Sequence, residues 1–448
     1  MIKTILQPLC FKEINRREQE ELTQQLDRLK VLYGEQAEFL EPVLVGGEIP
    51  EKAHGVLFPQ MIGAVFGHGE EIARIKLPVI LMTSEFGTVE MWDWEIAAYL
   101  RENLHMENVF TPYNTQMAKV ILRAISSKQT MKEGGSFLIF QDSPGEGMQS
   151  EIFKRFFWWE KECIQSIREN FGVKVIFQSW REVNEKAKLI DRDAAKELLE
   201  ERAGFCCTAS EEAAIRAVKL YMAIRDIVNC KENVLGVGSN CLNESFYADT
   251  TPCLAWNWLF EYDHILWACE GDLVSLLSET VLYGALHKPL MMTNLYPFLM
   301  GMAALKHEKI EQFPKLPDSD NYALGVHCGY FGFAPQSFCT EWALRPKVLE
   351  IVKDEAVAVD CRMACGPVVL AKIHADLKKI TVIEAEIEEY VGYPGSDCRN
   401  GALIHYKHNS GHKVMECLSS HHAIVIQGEV APLILQIGRV YGMEVEIL

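Results

Sequence analysis

Four polar side chains interrupt apolar segments of this 448-residue chain: Glu270, Asn294, His327 and His422. Each lies at or near the end of an apolar run that has the length of a β-strand. Together they offer a carboxylate, an amide oxygen and two imidazoles, a set that suits Mn²⁺, Co²⁺ or Zn²⁺ better than a metal that prefers thiolates. A histidine taken singly is more often a satisfied core or surface residue than a ligand. Residues this far apart in the sequence do not by themselves predict a metal site, although their side chains are of types that could form one.

Two of these side chains belong to one segment, Leu266 to Phe298. Glu270 stands between an apolar strand and a helix, and a second apolar strand follows and ends at Asn294. In α/β proteins, ligands bind at the carboxyl ends of the strands, where loops carry functional side chains on a rigid frame. We therefore expect Glu270 to lie in the active site.

The elements that position these residues differ between the two parts of the chain. Up to Leu305, short apolar runs alternate with amphipathic helical stretches, which is typical of βαβ units. Beyond Leu305, short strands follow one another closely, separated by turn signals and without alternating helices. The pattern predicts an α/β fold with two Rossmann-like parallel-sheet domains, at 1–168 and 169–305, and an antiparallel β-barrel-like C-terminal domain at 306–448.

The loop Thr83 to Trp94 directly follows a predicted strand and is a second place for ligand contacts. Glu85 and Trp92 are its candidate substrate-binding residues, because a carboxylate can bond sugar hydroxyls and an indole can stack on a sugar ring. The alternative is a helix start whose tryptophans pack on a neighbouring element.

Composition excludes several classes of function. A formal charge of −18 and the lack of any basic run argue against nucleic acid and against an anionic membrane surface. The N-terminus turns charged too soon for a secretory signal, and the longest apolar run, Pro289 to Leu305, is too short to span a bilayer. The 14 cysteines are spread thinly, without a CxxC pair. We expect a cytoplasmic protein that acts on a small molecule.

Three short motifs in this order resemble the L-fucose isomerase and L-arabinose isomerase superfamily: CEGD at 269–272, the glycine-histidine strand ALGVH at 323–327, and the pair His421-His422 before an apolar strand. The resemblance implies that Glu270, His327 and His422 are metal ligands. It further implies Mn²⁺ as the ion, aldose-ketose isomerisation as the reaction, and a homo-oligomer, a hexamer or a trimer.

One position departs from that superfamily. Where its members carry a second acidic residue, this chain has Asn294, whose amide can lend an oxygen to a metal but has no proton to exchange near neutral pH. The expected mechanism passes through a cis-enediol, with the metal as Lewis acid and Glu270 as general base. The partner acid is open: a water on the metal, His421 or Asp249. His421 is also a candidate for binding the substrate.

The resemblance implies a deoxyhexose or a pentose as the substrate. The basic segment His405 to Lys413 adds the alternative of an anionic sugar such as sulfoquinovose, unless it is only a solvated turn. Because the second carboxylate is missing, a catalytically altered sugar-binding or regulatory protein is the competing hypothesis.

Overall fold

The structure is a computed structural model. It describes residues 2–61, 63–142, 160–202, 204–244, 247–297, 316–326, 335–346, 356–391 and 401–448. The chain divides into two compact units. The first comprises Met1–Glu133, Gly284–His287 and Pro432–Glu444, and the second comprises Gly134–Tyr283, Lys288–Ala431 and Val445–Leu448.

The first unit is built on a parallel sheet with the strand order β2-β1-β4-β5-β6, and β3 pairs with β1. Its strands are β1 (Thr4–Cys10), β2 (Ala37–Phe39), β3 (Val43–Leu44), β4 (Gly55–Phe58), β5 (Val79–Leu81) and β6 (Val109–Phe110). Its helices include α1 (Arg16–Tyr33), α2 (Gly69–Ala73), α3 (Trp94–Glu102) and α4 (Thr115–Lys132). Helix α1 begins at a capping box formed by Asn15 and Glu18, and it buries Leu22, Leu26 and Leu29 as their spacing predicts.

The second unit contains a parallel sheet with the order β11-β10-β7-β8. Its strands are β7 (Ser136–Phe140), β8 (Lys174–Gln178), β10 (Val234–Gly238) and β11 (Leu266–Ala268). The helices here are α5 (Lys161–Phe171), α6 (Trp180–Leu189), α7 (Arg192–Glu201), α8 (Glu211–Asn229), α9 (Cys241–Glu244), α10 (Cys253–Asp263) and α11 (Leu273–Leu286). A Cβ atom at Gly236 would lie 2.6 Å from Leu276, so this glycine lets α11 approach the strand closely.

The same unit also contains a closed antiparallel barrel of six strands in the order β16-β19-β12-β13-β18-β17, which β16 closes by pairing with β17. The strands are β12 (Leu290–Pro297), β13 (Tyr322–Val326), β16 (Gly366–Ile373), β17 (Lys379–Tyr390), β18 (Ala402–Tyr406) and β19 (His422–Gln427). Strand β20 (Glu444–Ile447) extends it beside β17, and β14 (Cys339–Pro346), β15 (Val357–Met363) and β9 (Cys206–Cys207) form a small separate sheet. The predicted fold class, parallel α/β sheets and an antiparallel barrel, is confirmed.

One feature of the C-terminal part differs from the prediction. Strands without helices were expected there, yet α12 (Gly411–Cys417) and α13 (Ala431–Tyr441) lie before and after β19. Helix α13 carries apolar residues at helical spacing, and Ile434 and Ile437 are fully buried. Among the described helices, none is long and apolar enough to cross a membrane.

Candidate active site

Glu270 lies directly beyond the carboxyl end of β11, where the strand gives way to the short turn Cys269–Gly271 that leads into α11. Its backbone is left-handed, with φ 57° and ψ 11°, and its side chain is buried. A non-glycine residue in this conformation costs on the order of 1 to 3 kcal/mol, and such strain concentrates at functional sites. The fold therefore holds this carboxylate in place at a cost in stability.

Asn294 and His422 are direct partners on the adjacent antiparallel strands β12 and β19, so their side chains share one face of the barrel wall. Both are buried. His422 Nε2 lies 4.0 Å from Glu270 Oε2, which joins the barrel to the end of β11. The structure thus brings together Glu270 and His422, two of the predicted ligands, and places Asn294 beside His422.

Asp272 orients His422. Its Oδ2 lies 2.8 Å from His422 Nδ1. An ionised carboxylate only accepts hydrogen bonds, so Nδ1 carries the proton and Nε2 keeps its lone pair. A histidine that binds a metal through one ring nitrogen usually donates the N–H of the other to a carboxylate, a carbonyl or water. The geometry suits His422 Nε2 for that role.

A buried ion pair keeps Asp272 charged. Lys372 Nζ, on β16, donates to Asp272 Oδ2 at 3.0 Å, and Ser275 adds bonds from its backbone N–H and its hydroxyl at 2.8 and 2.7 Å. Lys372 also bonds the Ser275 hydroxyl. Burial alone raises the pKa of Asp272, but Lys372 and His422 outweigh it and hold this pKa well below its usual range.

Glu279 lies two turns further along α11 and is also buried. Burial raises the pKa of Glu279 well above its usual range, although the charge of Lys372 opposes that shift. Burial thus disfavours the charged form of Glu279, whereas the lowered pKa of Asp272 makes that carboxylate the charged partner of Lys372.

The donor set fits a divalent cation. Asn294 Oδ1 is buried and accepts no hydrogen bond from the described residues, as expected for an oxygen that binds an ion. Among those same residues, no three His, Cys, Asp or Glu side chains lie close enough together to hold a metal. An amide oxygen is not one of those groups, and His327 lies outside the described residues. Val326, which precedes His327, pairs with Asn294.

His421 lies next to the predicted ligands. Its ring centre is 4.3 Å from that of His422, and its carbonyl accepts a hydrogen bond from Leu295 N–H at 2.8 Å. Burial, reinforced by the charge of Lys372, lowers the pKa of His421 to about 3. The imidazole is neutral near pH 7, which suits a group that bonds a hydroxyl better than one that donates a proton as imidazolium.

Glu85 and Trp92 lie in the first unit, at the carboxyl ends of β4 and β5. They line one cavity of about 460 Å³ together with Gln25 and Arg28 of α1. The loop ends in an exposed helix start at Trp94, as the alternative has it, but Trp92 is 77% exposed and Trp94 is 71% exposed, so the two rings are not packed against other elements of the described chain. The loop is anchored instead by Gln25, which donates to the carbonyls of Met82 and Ser84.

The basic segment His405 to Lys413 faces carboxylates. His405 lies 3.2 Å from Glu388, and Lys407 lies 3.0 Å from Glu429. His408 and His412 are likewise within 3.5 Å and 3.3 Å of Glu384 and Glu416. Since neighbouring acids offset these positive groups, the segment gives little support to an anionic ligand.

Sequence reasoning missed the residues that support this site. Asp272 belongs to the CEGD motif, two residues after Glu270. An aspartate directly before a helix is a typical N-cap, and this pattern is visible in the sequence. Lys372 is the one charged residue in the apolar strand Gly366–Ile373, a pattern that indicates a buried partner. Glu279 is likewise the one charged residue in the helix Leu273–Leu286.

No protein-family model matches this chain, and no curated protein matches it significantly.

Proposed function

We propose that this protein is a metal-dependent aldose-ketose isomerase that acts on an open-chain monosaccharide. The observation that carries the proposal is the meeting of Glu270 and His422, with 4.0 Å between Oε2 and Nε2, from two different sheets of the second unit. The order of motifs that resembles the L-fucose and L-arabinose isomerases supports the same conclusion.

Glu270, Asn294 and His422 are the residues that would hold the metal, with His327 as a further ligand by resemblance. Mn²⁺ is the ion we expect, and Co²⁺ or Zn²⁺ suit the same donors. When bound, such an ion acts as a Lewis acid on sugar oxygens and stabilises the negative charge of an enediolate. Asp272 fixes the tautomer of His422, and Lys372 fixes Asp272.

Glu270 is the proposed general base, which takes the proton from the carbon next to the carbonyl and returns it to the neighbouring carbon. Its left-handed backbone and its burial hold the carboxylate in one position, which general-base catalysis requires. Asn294 binds but does not exchange protons. His421, neutral and beside His422, is placed to bond a sugar hydroxyl, and Asp249 remains the candidate for a second proton-transfer group.

The proposed substrate is a neutral deoxyhexose or pentose. The pairing of the His405 to Lys413 segment with carboxylates favours these over an anionic sugar such as sulfoquinovose. In the first unit, the cavity lined by Glu85 and Trp92 has the residue types that bind sugars, since an exposed indole stacks on a sugar ring and carboxylates accept from hydroxyls.

A second candidate function is a sugar-binding regulatory protein that has lost catalysis. Asn294 favours it, because this residue replaces an acid that takes part in proton transfer in the superfamily. The two functions differ in one observable. A regulator binds the sugar without exchanging its C2 proton, whereas an isomerase exchanges that proton with solvent.

The resemblance further leads us to propose a homo-oligomer, a trimer or a hexamer, in the cytoplasm. The 12 described cysteines are free thiols, which is the common state in a reducing compartment. Light scattering tests the assembly: we expect a mass of three or six chains, and the mass of a single chain would contradict it.

The decisive experiment for the reaction is a titration of metal-stripped protein with Mn²⁺, Co²⁺ and Zn²⁺ in the presence of a panel of aldopentoses and deoxyhexoses. We expect ketose formation that depends on the metal. If every sugar is left unconverted with every metal, the isomerase proposal is wrong.

A further inference from the structure

We propose that Gln141 and Ser239, at the carboxyl edge of the second parallel sheet, each bind a hydroxyl group of a sugar or polyol. The inference deepens the proposed function by naming residues that select the substrate, and it rests on that function for the identity of the site.

The topology places these residues where ligands bind. Gln141 directly follows β7, and Ser239 directly follows β10. The two strands are neighbours, yet the chain leaves β7 in one direction to form β8 and returns on the other side to form β10. The point at which the strand order reverses opens a crevice at the carboxyl ends of the strands.

Both side chains are buried. Gln141 is 3% exposed and Ser239 is 0% exposed. Within the described chain, Gln141 Oε1, Gln141 Nε2 and Ser239 Oγ all lack a hydrogen-bond partner. Since the large majority of buried polar side-chain atoms are paired, three orphans on adjacent strand ends indicate a ligand.

Other buried side chains of the same types show the contrast. Gln25 donates to two carbonyls, and Ser278 donates to Val274 O and accepts from Ile373 N–H. Those residues complete bonds within the fold. Gln141 and Ser239 leave the same chemical groups unused.

The backbone holds the subsite rigid. Gln141 N–H donates to Gln178 O at 2.9 Å, and the carboxylate of Asp142 accepts from Ser179 and from Arg181 N–H at the start of α6. Beside Ser239, a Cβ on Gly238 would lie 3.0 Å from Ala268 O, so this glycine allows the ends of β10 and β11 to approach closely. Gly238 pairs with Ala268, two residues before Glu270.

The chemistry of the orphans identifies the class of ligand. A primary amide offers donors and an acceptor, and a serine hydroxyl offers both. The hydroxyls of a polyol match this set, because each hydroxyl can donate and accept. An anion would leave Gln141 Oε1 unpaired, and an apolar ligand would leave all three atoms unpaired.

The experiment compares Gln141→Leu and Ser239→Ala with the wild type. Binding of ribitol, xylitol and arabinitol is measured by calorimetry in the presence of Mn²⁺, and stability is measured by urea unfolding without ligand. We expect each variant to bind at least one polyol about tenfold more weakly, the effect of one lost hydrogen bond. We also expect ligand-free stability that is unchanged or higher, because an unpaired buried group has been removed.

Asn184→Leu and Ser278→Ala are matched controls that remove paired groups, since the buried amide of Asn184 donates to Trp180 O at 2.8 Å. They are expected to lower stability and to leave polyol affinity unchanged. If Gln141→Leu and Ser239→Ala behave like these controls, the two residues bond to buried water or to the chain, and the inference is wrong. Failure of the wild type to bind any of the polyols also overturns it.

The inference and the proposed function can fail separately. Polyol binding that depends on Gln141 and Ser239 supports the subsite even if no aldose is isomerised. Isomerase activity with unchanged polyol affinity in both variants supports the function and refutes the subsite.

Discussion

The carboxyl edges of the two parallel sheets differ sharply in how they treat polar groups. At the first edge, Glu85 and Trp92 stand in solvent around an open cavity, with Trp92 77% exposed. At the second edge, Glu270, Asp272 and Lys372 are buried, and Glu270 has a left-handed backbone. The first edge is therefore an exposed polar surface, and the second edge is a buried cluster of charged side chains.

Because their side chains differ in burial, the two edges suit different roles. Exposed side chains can contact a ligand at little cost in stability, but water screens their charges. Buried charges are costly unless they are paired, and in return they act in a fixed geometry and a low dielectric. We therefore propose that proton transfer and the binding of the reacting sugar take place at the second edge, and that the first edge offers exposed sugar contacts of its own.

The largest effect is expected for Lys372→Met. The substitution leaves Asp272 as a buried charge without its cation, so we expect a loss of about 3 to 5 kcal/mol in the free energy of unfolding. It also frees Asp272 from its fixed position, so Mn²⁺ affinity should fall by about 10- to 100-fold. Urea unfolding and calorimetric Mn²⁺ titration measure the two effects.

Lys196→Met is the control for that substitution. Lys196 pairs with Glu211 on the surface, and we expect no measurable change in stability. Equal stability of the two variants would show that the buried charges of the second edge are no different from surface charges.

The second prediction concerns pH. Burial lowers the pKa of His421 to about 3, and the pKa of Asp272 is also below its usual range. For both groups the unfolded chain binds protons at a higher pH than the folded chain does, so the free energy of unfolding falls as the pH falls. The decrease is expected to start near pH 6.5, the ordinary pKa of histidine, and to continue to about pH 3.

His421→Phe should flatten the upper part of this pH profile, because the residue that gains a proton on unfolding has been removed. Urea midpoints between pH 7 and pH 4 measure the change. A variant with the same slope as the wild type would mean that His421 is solvated and ordinary, like the groups of the first edge.

The third prediction tests the strain at Glu270. Glu270→Ala and Glu270→Gly both remove the carboxylate, but only glycine adopts a left-handed backbone without steric cost. We expect the glycine variant to be about 1 kcal/mol more stable than the alanine variant. At Glu279, inside α11, the order should reverse by a similar amount. If the same variant, alanine or glycine, is the more stable one at both positions, the backbone at Glu270 is not strained.

The smallest effect is expected at the first edge. Trp92→Ala removes an exposed ring, so stability should not change, while binding of a sugar at the first edge should weaken by up to about tenfold with little change in kcat. Trp94→Ala is the matched control, because Trp94 is similarly exposed but does not line the cavity. A large drop in kcat for Trp92→Ala would place chemistry at this edge and contradict that proposal for the two edges.

Much of the fold could be predicted from local pattern. The strand Leu266–Ala268 before Glu270 and the helix Leu273–Leu286 after it match the sequence signals closely, because apolar runs are local properties. The position of Glu270 at a strand end followed from the same kind of signal. Helix α13 was not predicted, because it follows a run of closely spaced apolar strands and no clear change of pattern marks its start.

The support of the site could not be predicted, because it depends on contacts across the fold. Lys372 meets Asp272 only when β16 closes the barrel near the start of α11. The orphaned atoms of Gln141 and Ser239 become visible only when burial and partners are known for every neighbour. Sequence order assigns residues to strand ends but does not show which side chains lack partners.

Exchange of the substrate's C2 proton in D₂O shows directly whether Glu270 is the general base. With Mn²⁺ and a converted sugar, we predict deuterium at C2 for the wild type and for Trp92→Ala. For Glu270→Gln, we predict at least 100-fold slower incorporation with unchanged stability and with the sugar still bound. Incorporation by Glu270→Gln at more than a tenth of the wild-type rate would contradict the assignment of Glu270 as the base.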